Sequence, residues 1–260
     1  MSSASSMDAA RLLYRERDEN HWKELQGLVE ESGISFSEML INYPAFVRRR
    51  ELTRLLADYD LFRMVMDLPG SIVELGVYLG AGLFTWAKLL ETFFPGDRSR
   101  RVYGFESGKG YAKLSPEDGQ PQAWIANAVG EKKVSDRFLD RMVELTNADN
   151  LVRGAERCRV IKGDIRETVP EFARNSQGTQ ISLLFFDVNL FEPTMVGLRA
   201  LYPLVTPGGL IALNAYGSPP WPGEALALQR YFAEIGQPLP KLMKLPYSIR
   251  PGGYFIKDRQ

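Results

Sequence analysis

The sequence predicts an α/β fold: a mostly parallel sheet of about seven strands with helices on both faces, preceded by an N-terminal helical cap. Three observations carry this. From Pro69 onward, short apolar runs alternate with helical stretches, as right-handed βαβ crossovers require. The run Ile181-Ser182-Leu183-Leu184-Phe185-Phe186 is almost continuously apolar, which suits a strand covered on both faces. Residues 8–67 show no strand-like alternation and read as helix. The expected division is a cap over residues 1–67 and a sheet domain over 68–260.

In chain order, Asp8 to about Val29 forms the first helix, and a second helical stretch runs from Ser37 through Leu55 and Met66. Tyr43-Pro44 interrupts it, since proline cannot continue a helix interior and biases its predecessor away from helical geometry. So long a lead is expected to be a cap packed on the main fold or an oligomer interface. Ser71 to Leu75 is a strand, Phe84 to Thr92 a helix, and Arg101 to Phe105 a strand. A loop rich in glycine, proline and polar residues follows, from Ser107 to about Gly130. Asp136 to Leu145 is a helix, Cys158 to Ile161 a strand, Glu167 to Arg174 a helix, and Ile181 to Phe186 a strand. Thr194 to Leu204 is a helix, Gly209 to Leu213 a strand, and Glu224 to Ile235 a helix. Two weaker strands, near Leu242–Leu245 and Tyr254–Ile256, close the chain.

Composition narrows the function. The 32 basic residues balance 32 acidic ones, so no net field draws a nucleic acid or an anionic membrane. The single cysteine, Cys158, excludes an internal disulfide and any multi-cysteine metal site, and its apolar neighbours suggest a buried strand residue. The single histidine, His21, lies in a polar helical segment and is expected to be solvated rather than part of a catalytic triad. The serine-rich start lacks an apolar core, and no apolar run approaches the ~20 residues that span a bilayer. A cytoplasmic location is expected.

In sheets of this kind, ligands bind outside the carboxyl ends of the strands, where the strand order reverses. The first strand ends in Glu74-Leu75-Gly76-Val77-Tyr78-Leu79-Gly80-Ala81-Gly82, a glycine-rich turn that permits close backbone approach and leads into a helix N-terminus. The second ends in Glu106-Ser107, an acid placed to accept hydrogen bonds from the two hydroxyls of a ribose. The third leads into Gly163-Asp164-Ile165; Asp164 suits either the exocyclic amine of an adenine, with Ile165 on the ring face, or a helix N-cap. The fourth delivers Asp187 directly after two phenylalanines, and a carboxylate leaving so apolar a strand needs a partner in the cleft. The fifth delivers Asn214-Ala215-Tyr216-Gly217. These residues describe an adenosine site beside a catalytic or substrate-binding carboxylate.

The stretch Pro69-Gly70-Ser71-Ile72-Val73-Glu74-Leu75-Gly76-Val77-Tyr78 resembles the opening strand of macrocin O-methyltransferase-like enzymes. So do Gly104-Phe105-Glu106-Ser107, Lys162-Gly163-Asp164 and Phe186-Asp187-Val188-Asn189-Leu190-Phe191-Glu192-Pro193-Thr194, while Leu204-Val205-Thr206-Pro207-Gly208-Gly209-Leu210-Ile211 resembles the connection before the fifth strand of S-adenosylmethionine-dependent methyltransferases more widely. The resemblance covers residues 40–257. It implies a Rossmann-like class I methyltransferase sheet, S-adenosylmethionine as donor, and hydroxyl groups of sugars on small natural products as acceptors. It also implies a divalent metal held by an aspartate matching Asp187 and two adjacent aspartates after the fifth strand.

There the sequence departs from the family. Asn214-Ala215 replaces the aspartate pair, and Ala215 has no ligand atom. One carboxylate plus one amide is a poor magnesium site, so metal dependence is expected to be weak. Asp187 is then the expected base, with Tyr216 and Glu192 as secondary candidates, and Tyr43 is expected to close over the donor. Loss of the metal also leaves N-methylation open. A nicotinamide oxidoreductase fits poorly: G-x-G-x-x-G is missing, and Glu106 follows Gly76 at a longer spacing than the ~20 residues of dinucleotide sites. A catalytically degenerate methyltransferase fold acting as a binding partner is the remaining alternative. A small-molecule acceptor is the expected partner, together with self-association through the N-terminal helices.

Overall fold

The computed structural model describes residues 2–111, 113–119 and 135–258. The chain divides into two compact units, Met1–Leu52 and Thr53–Gln260.

The first unit is helical. Helix α1 (Ser2–Ser32) is followed by α2 (Phe36–Ile41), α3 (Tyr43–Phe46) and the start of α4 (Arg49–Met64). Ser35 caps α2 through a reciprocal pair: its hydroxyl accepts from the Glu38 N–H, and the Glu38 carboxylate accepts from the Ser35 N–H. Pro44 stands in the first turn of α3, where its missing N–H costs nothing, so the break expected at Tyr43-Pro44 is a restart of the helix. Arg48 pairs with Asp18 at 2.6 Å and lies over the Trp22 ring. His21 is exposed on α1, as expected.

The second unit holds the sheet. Strands β1 (Ser71–Leu75), β2 (Val102–Glu106), β3 (Cys158–Lys162), β4 (Ile181–Phe186), β5 (Val205–Leu213) and β6 (Gly253–Ile256) lie in the order β3-β2-β1-β4-β5-β6. All neighbours are parallel except β6, which runs antiparallel to β5. Helices α5 (Ala81–Phe93), α6 (Asp136–Ala148), α7 (Ile165–Asn175), α8 (Phe191–Leu201) and α9 (Gly223–Glu234) supply the crossovers. The strand expected near Leu242–Leu245 is only a single bridge between Met243 and Tyr254. Pro240 and Pro246 flank it, and neither has an N–H to extend a ladder. The described sheet therefore has six strands.

Side chains alternate across the sheet with period two and build two cores. Ile72, Leu183 and Phe185 face one way, with Leu83, Trp86 and Leu90 of α5 and Leu139 of α6. Val73, Leu75, Leu184 and Phe186 face the other, with Val169, Met195, Leu198 and Leu228. All six residues of β4 are buried, which is why its sequence is apolar on both faces. Cys158 is buried in the first core, and burial pushes its thiol up to about 12. Ala57, Leu61, Phe62 and Val65 join that same core. The loop expected from Ser107 to Gly130 is described only in part; residue 112 and residues 120–130 lie outside the described residues. Its described portion ends in a short 3-10 turn, Pro116–Asp118, whose Asp118 accepts the Phe191 N–H at 2.6 Å and so ties the loop to the start of α8.

Candidate active site

Strand order reverses between β1 and β4, so their carboxyl ends open the crevice where this sheet type takes its ligand. Two glycines let the chain close around that point. Gly76 has φ +90°, and any Cβ there would collide with the Asp187 carbonyl oxygen. This lets the strand ends meet, with the Asp187 N–H donating to the Leu75 carbonyl at 2.8 Å. A Cβ at Gly82 would strike the Glu74 carboxylate. The sequence expectation was room for a ligand; in the structure these glycines make room for Asp187 and Glu74 themselves.

Glu74 is wholly buried, and neither of its carboxylate oxygens has a hydrogen-bond partner among the described residues. Burial pushes it well above the ordinary carboxylate range, against the pull of the nearby Arg54 guanidinium. Val77 is buried in the first core, and Gly80, at φ +88°, starts α5. Tyr78 takes the left-handed conformation at φ +52°, rare for a residue with a side chain. Its N–H donates to Glu106 Oε2 at 2.7 Å, while Glu106 Oε1 accepts from the Gly108 N–H at 2.9 Å. Glu106 thus binds the tip of β2 to the turn after β1. The Ser107 hydroxyl stays within its own turn, accepting from the Lys109 N–H and donating to the Gly110 carbonyl.

Asp187 leaves β4 half-buried between two donors. Arg54 reaches its Oδ2 at 3.3 Å, and the Asn214 side-chain amide donates to its Oδ1. Asp58, one helical turn beyond Arg54 on α4, is also buried, and desolvation raises it to about 7. Behind this group, Glu224 of α9 is fully buried and clamps both strand ends. Its Oε1 accepts the Asn189 N–H at 3.0 Å and its Oε2 the Ala215 N–H at 2.7 Å. Burial raises Glu224 to about 8, against those two donors. Asn189, itself at φ +61°, donates its amide to the Tyr111 hydroxyl at 2.7 Å, and the Tyr111 ring stacks on Trp221.

The structure therefore brings Glu74, Gly76, Gly82 and Asp187 together, with Glu106 and Tyr78 alongside. Asp164 caps α7, accepting the Arg166 N–H at 2.9 Å, and its carboxylate also grips the Arg166 guanidinium. Ile165 begins α7 and packs on the second core. Glu192 engages Arg166 at 3.4 Å from the first turn of α8. The Tyr216 ring packs beside Gly253 of β6. Tyr43 is half-exposed at the start of α3, in the first unit.

Sequence reasoning missed Arg54, Asp58, Glu224 and Tyr111. Arg54 and Asp58 sit on one helix at i and i+4, a spacing that reads equally well as an exposed ion pair. Only their burial beside Asp187 marks them. Glu224 follows Pro222-Gly223 at a helix start, where an acid ordinarily favours the helix dipole and signals nothing more.

Chemically, the crevice offers one carboxylate held between a guanidinium and an amide, a second that is buried without partners, and a third at the neighbouring strand tip. The arrangement suits a ligand with cationic and hydroxyl groups, and Asp187 stands where a proton can be taken.

The macrocin-O-methyltransferase (TylF) family matches residues 48–245. Among solved structures, the calicheamicin methyltransferase CalS11 is 30% identical and superposes with a TM-score of 0.81, covering 92% of this chain and 92% of that chain. An apo structure of CalS11, described as a TDP-rhamnose 3'-O-methyltransferase of calicheamicin biosynthesis, is 30% identical with a TM-score of 0.74, covering 92% and 94%. The O-methyltransferase NovP shares the fold at a TM-score of 0.60 and 23% identity, covering 78% of this chain and 80% of that one. No curated protein sequence matches.

Proposed function

The chain belongs to the macrocin O-methyltransferase family, and from that premise we propose that it methylates a hydroxyl group of a sugar on a small natural product or its activated precursor. It is an S-adenosylmethionine-dependent methyltransferase, and the likeness to CalS11, described as acting on TDP-rhamnose, supports the acceptor class. The observation that carries the reading is Asp187, a carboxylate delivered from a fully buried strand to the point where the strand order reverses.

The donor fits the residues present. Glu106 is the ribose partner: its carboxylate already organises the turn after β1 through Tyr78 and Gly108. Glu74, buried with both oxygens unpaired, suits the positive charge that the donor carries. The turn Gly76, Val77, Tyr78, Gly80 and Gly82 lies against it, with Ser107 beside Glu106 and with Asp164 and Ile165 toward the adenine. Once bound, the donor supplies an activated methyl carbon; alignment and proton removal fall to the protein. Asp187 accepts the acceptor hydroxyl's proton as the oxygen attacks, and Asn214 and Arg54 hold the carboxylate in place. Tyr216, after the fifth strand, and Glu192, in the first turn of α8, are the secondary candidates for the base.

A divalent cation does not fit this donor set. Asn214 is already bonded to Asp187, and Ala215 has no side-chain ligand atom, its N–H being given to Glu224 and its carbonyl accepting the Ser218 N–H at 2.9 Å. We therefore assign no step to a metal. The exposed apolar side chains of α2, Phe36 and Ile41, support self-association through the first unit, which molar mass by light scattering tests directly. No helix among the described residues is long and apolar enough to cross a membrane.

The test of function is incubation with methyl-labelled donor and a panel of deoxysugar acceptors bearing hydroxyl or amino groups. Label on a sugar oxygen supports the proposal. Label confined to nitrogen would move the assignment to N-methylation, and no turnover with any acceptor despite donor binding would point to a degenerate fold.

A further inference from the structure

Arg54 holds Asp187 through a single nitrogen, and its other N–H groups have no part in the reaction as described so far. Arg54 projects from α4 into the crevice, where three carboxylates act on it: Asp187, Asp58 and Glu74. Two of these are almost completely buried, Asp58 at 4% exposure and Glu74 at 0%. Burial raises both above the ordinary carboxylate range, and the Arg54 guanidinium is the cation that pulls against that rise in each. Burial alone would lower its pKa, yet the surrounding carboxylates more than offset this and it stays protonated. One nitrogen bonds Asp187 Oδ2 at 3.3 Å, and a third of the side chain remains exposed. A guanidinium carries five N–H donors in a rigid fork. The other oxygen of Asp187 is taken by Asn214, so the carboxylate cannot rotate without breaking one of two bonds.

We propose that Arg54 is the positioning residue of the acceptor site, a built-in cation that aims Asp187 and presents its remaining N–H groups to the acceptor oxygen. This rests on Asp187 receiving the acceptor proton. It assigns to one fixed side chain the charge that the donor set at Asp187, Asn214 and Ala215 cannot recruit as a metal ion.

The test compares Arg54→Lys, which keeps the charge and loses the fork, with Arg54→Ala. Calorimetry with S-adenosylhomocysteine and thermal melting establish that each variant folds and binds the donor product. In Arg54→Lys, kcat should fall by about 10²-fold, the scale of a misaimed catalytic group, with donor affinity preserved. In Arg54→Ala, added guanidinium ion should restore kcat where sodium at equal ionic strength does not. Manganese added to the wild-type protein should keep the electron paramagnetic spectrum of the free aqua ion. Should Arg54→Ala fail to fold, Arg54→Lys and the manganese spectrum decide. Wild-type kcat in a folded Arg54→Lys, a folded Arg54→Ala indifferent to guanidinium, or manganese bound to the wild type and released by Asp187→Asn would each overturn the inference. An Asp187→Asn variant that keeps full activity would instead overturn the proposed role of Asp187 itself.

Discussion

Replacing Glu106 with alanine separates its proposed role as ribose partner from its structural work. In the protein its two oxygens accept from the Tyr78 and Gly108 N–H groups at 2.7 and 2.9 Å. Both N–H groups lie near solvent and rehydrate once the carboxylate is gone, so the direct stability loss should stay near 1 kcal/mol. The donor's ribose has no such substitute inside the crevice. Losing a charge-assisted contact there removes roughly 1.5–3 kcal/mol of binding, or about ten- to a hundredfold in affinity. Tyr78 adds to this: it sits at φ +52°, and Glu106 is what holds its N–H in that strained turn. Calorimetric titration with S-adenosylhomocysteine, paired with urea unfolding, reads both quantities. Affinity should fall far more than stability, and Glu106→Gln should lie between wild type and alanine. Unchanged affinity in a folded Glu106→Ala would refute the assignment of the ribose to this strand tip.

Other expectations follow from the buried acids. Glu224, raised from 4.5 to about 8, keeps its proton in the folded state where the unfolded chain releases it. Its contribution is therefore complete below about pH 4.5 and is lost as pH rises toward 8. Glu224→Gln should abolish that pH slope in urea midpoints and cost about 1–3 kcal/mol, because its amide N–H₂ faces a backbone N–H; an unchanged slope would contradict the burial argument. Gly82→Ala pushes a methyl group into the Glu74 carboxylate and should weaken donor binding measured by calorimetry; wild-type affinity would show that Glu74 does not face the ligand.

Much of the sheet was legible because its signals are local. The strand in Ile181–Phe186, the glycine turn after Glu74 and the carboxylates Glu106, Asp164 and Asp187 all sit where alternation and strand ends put them. The strand expected near Leu242–Leu245 failed because two prolines deny it a ladder, a restraint visible in the sequence but outweighed there by apolar content, whereas the one expected at Tyr254–Ile256 formed as β6. Asp164 was read both as an N-cap and as a ligand contact, and its N-cap geometry is present. What the sequence concealed was long-range pairing. Arg54 meets Asp187 across 133 positions, and Asp118 meets Phe191 across 73. No periodicity encodes such meetings, and burial, which makes them matter, is a property of the folded chain. The glycines were read as space for a ligand, whereas Gly76 and Gly82 first make space for the protein's own Asp187 and Glu74.

The central claim is that Asp187 takes the acceptor proton beside a donor held mainly by other residues. The most direct measurement is therefore single-turnover methyl transfer by Asp187→Asn, set against its affinity for S-adenosylhomocysteine. The isosteric amide keeps the shape of the site and removes the base, so the rate should fall by about 10²–10⁴-fold while donor affinity moves by less than about tenfold. A rate within a few-fold of wild type, in a variant that folds and binds the donor product, would contradict the account.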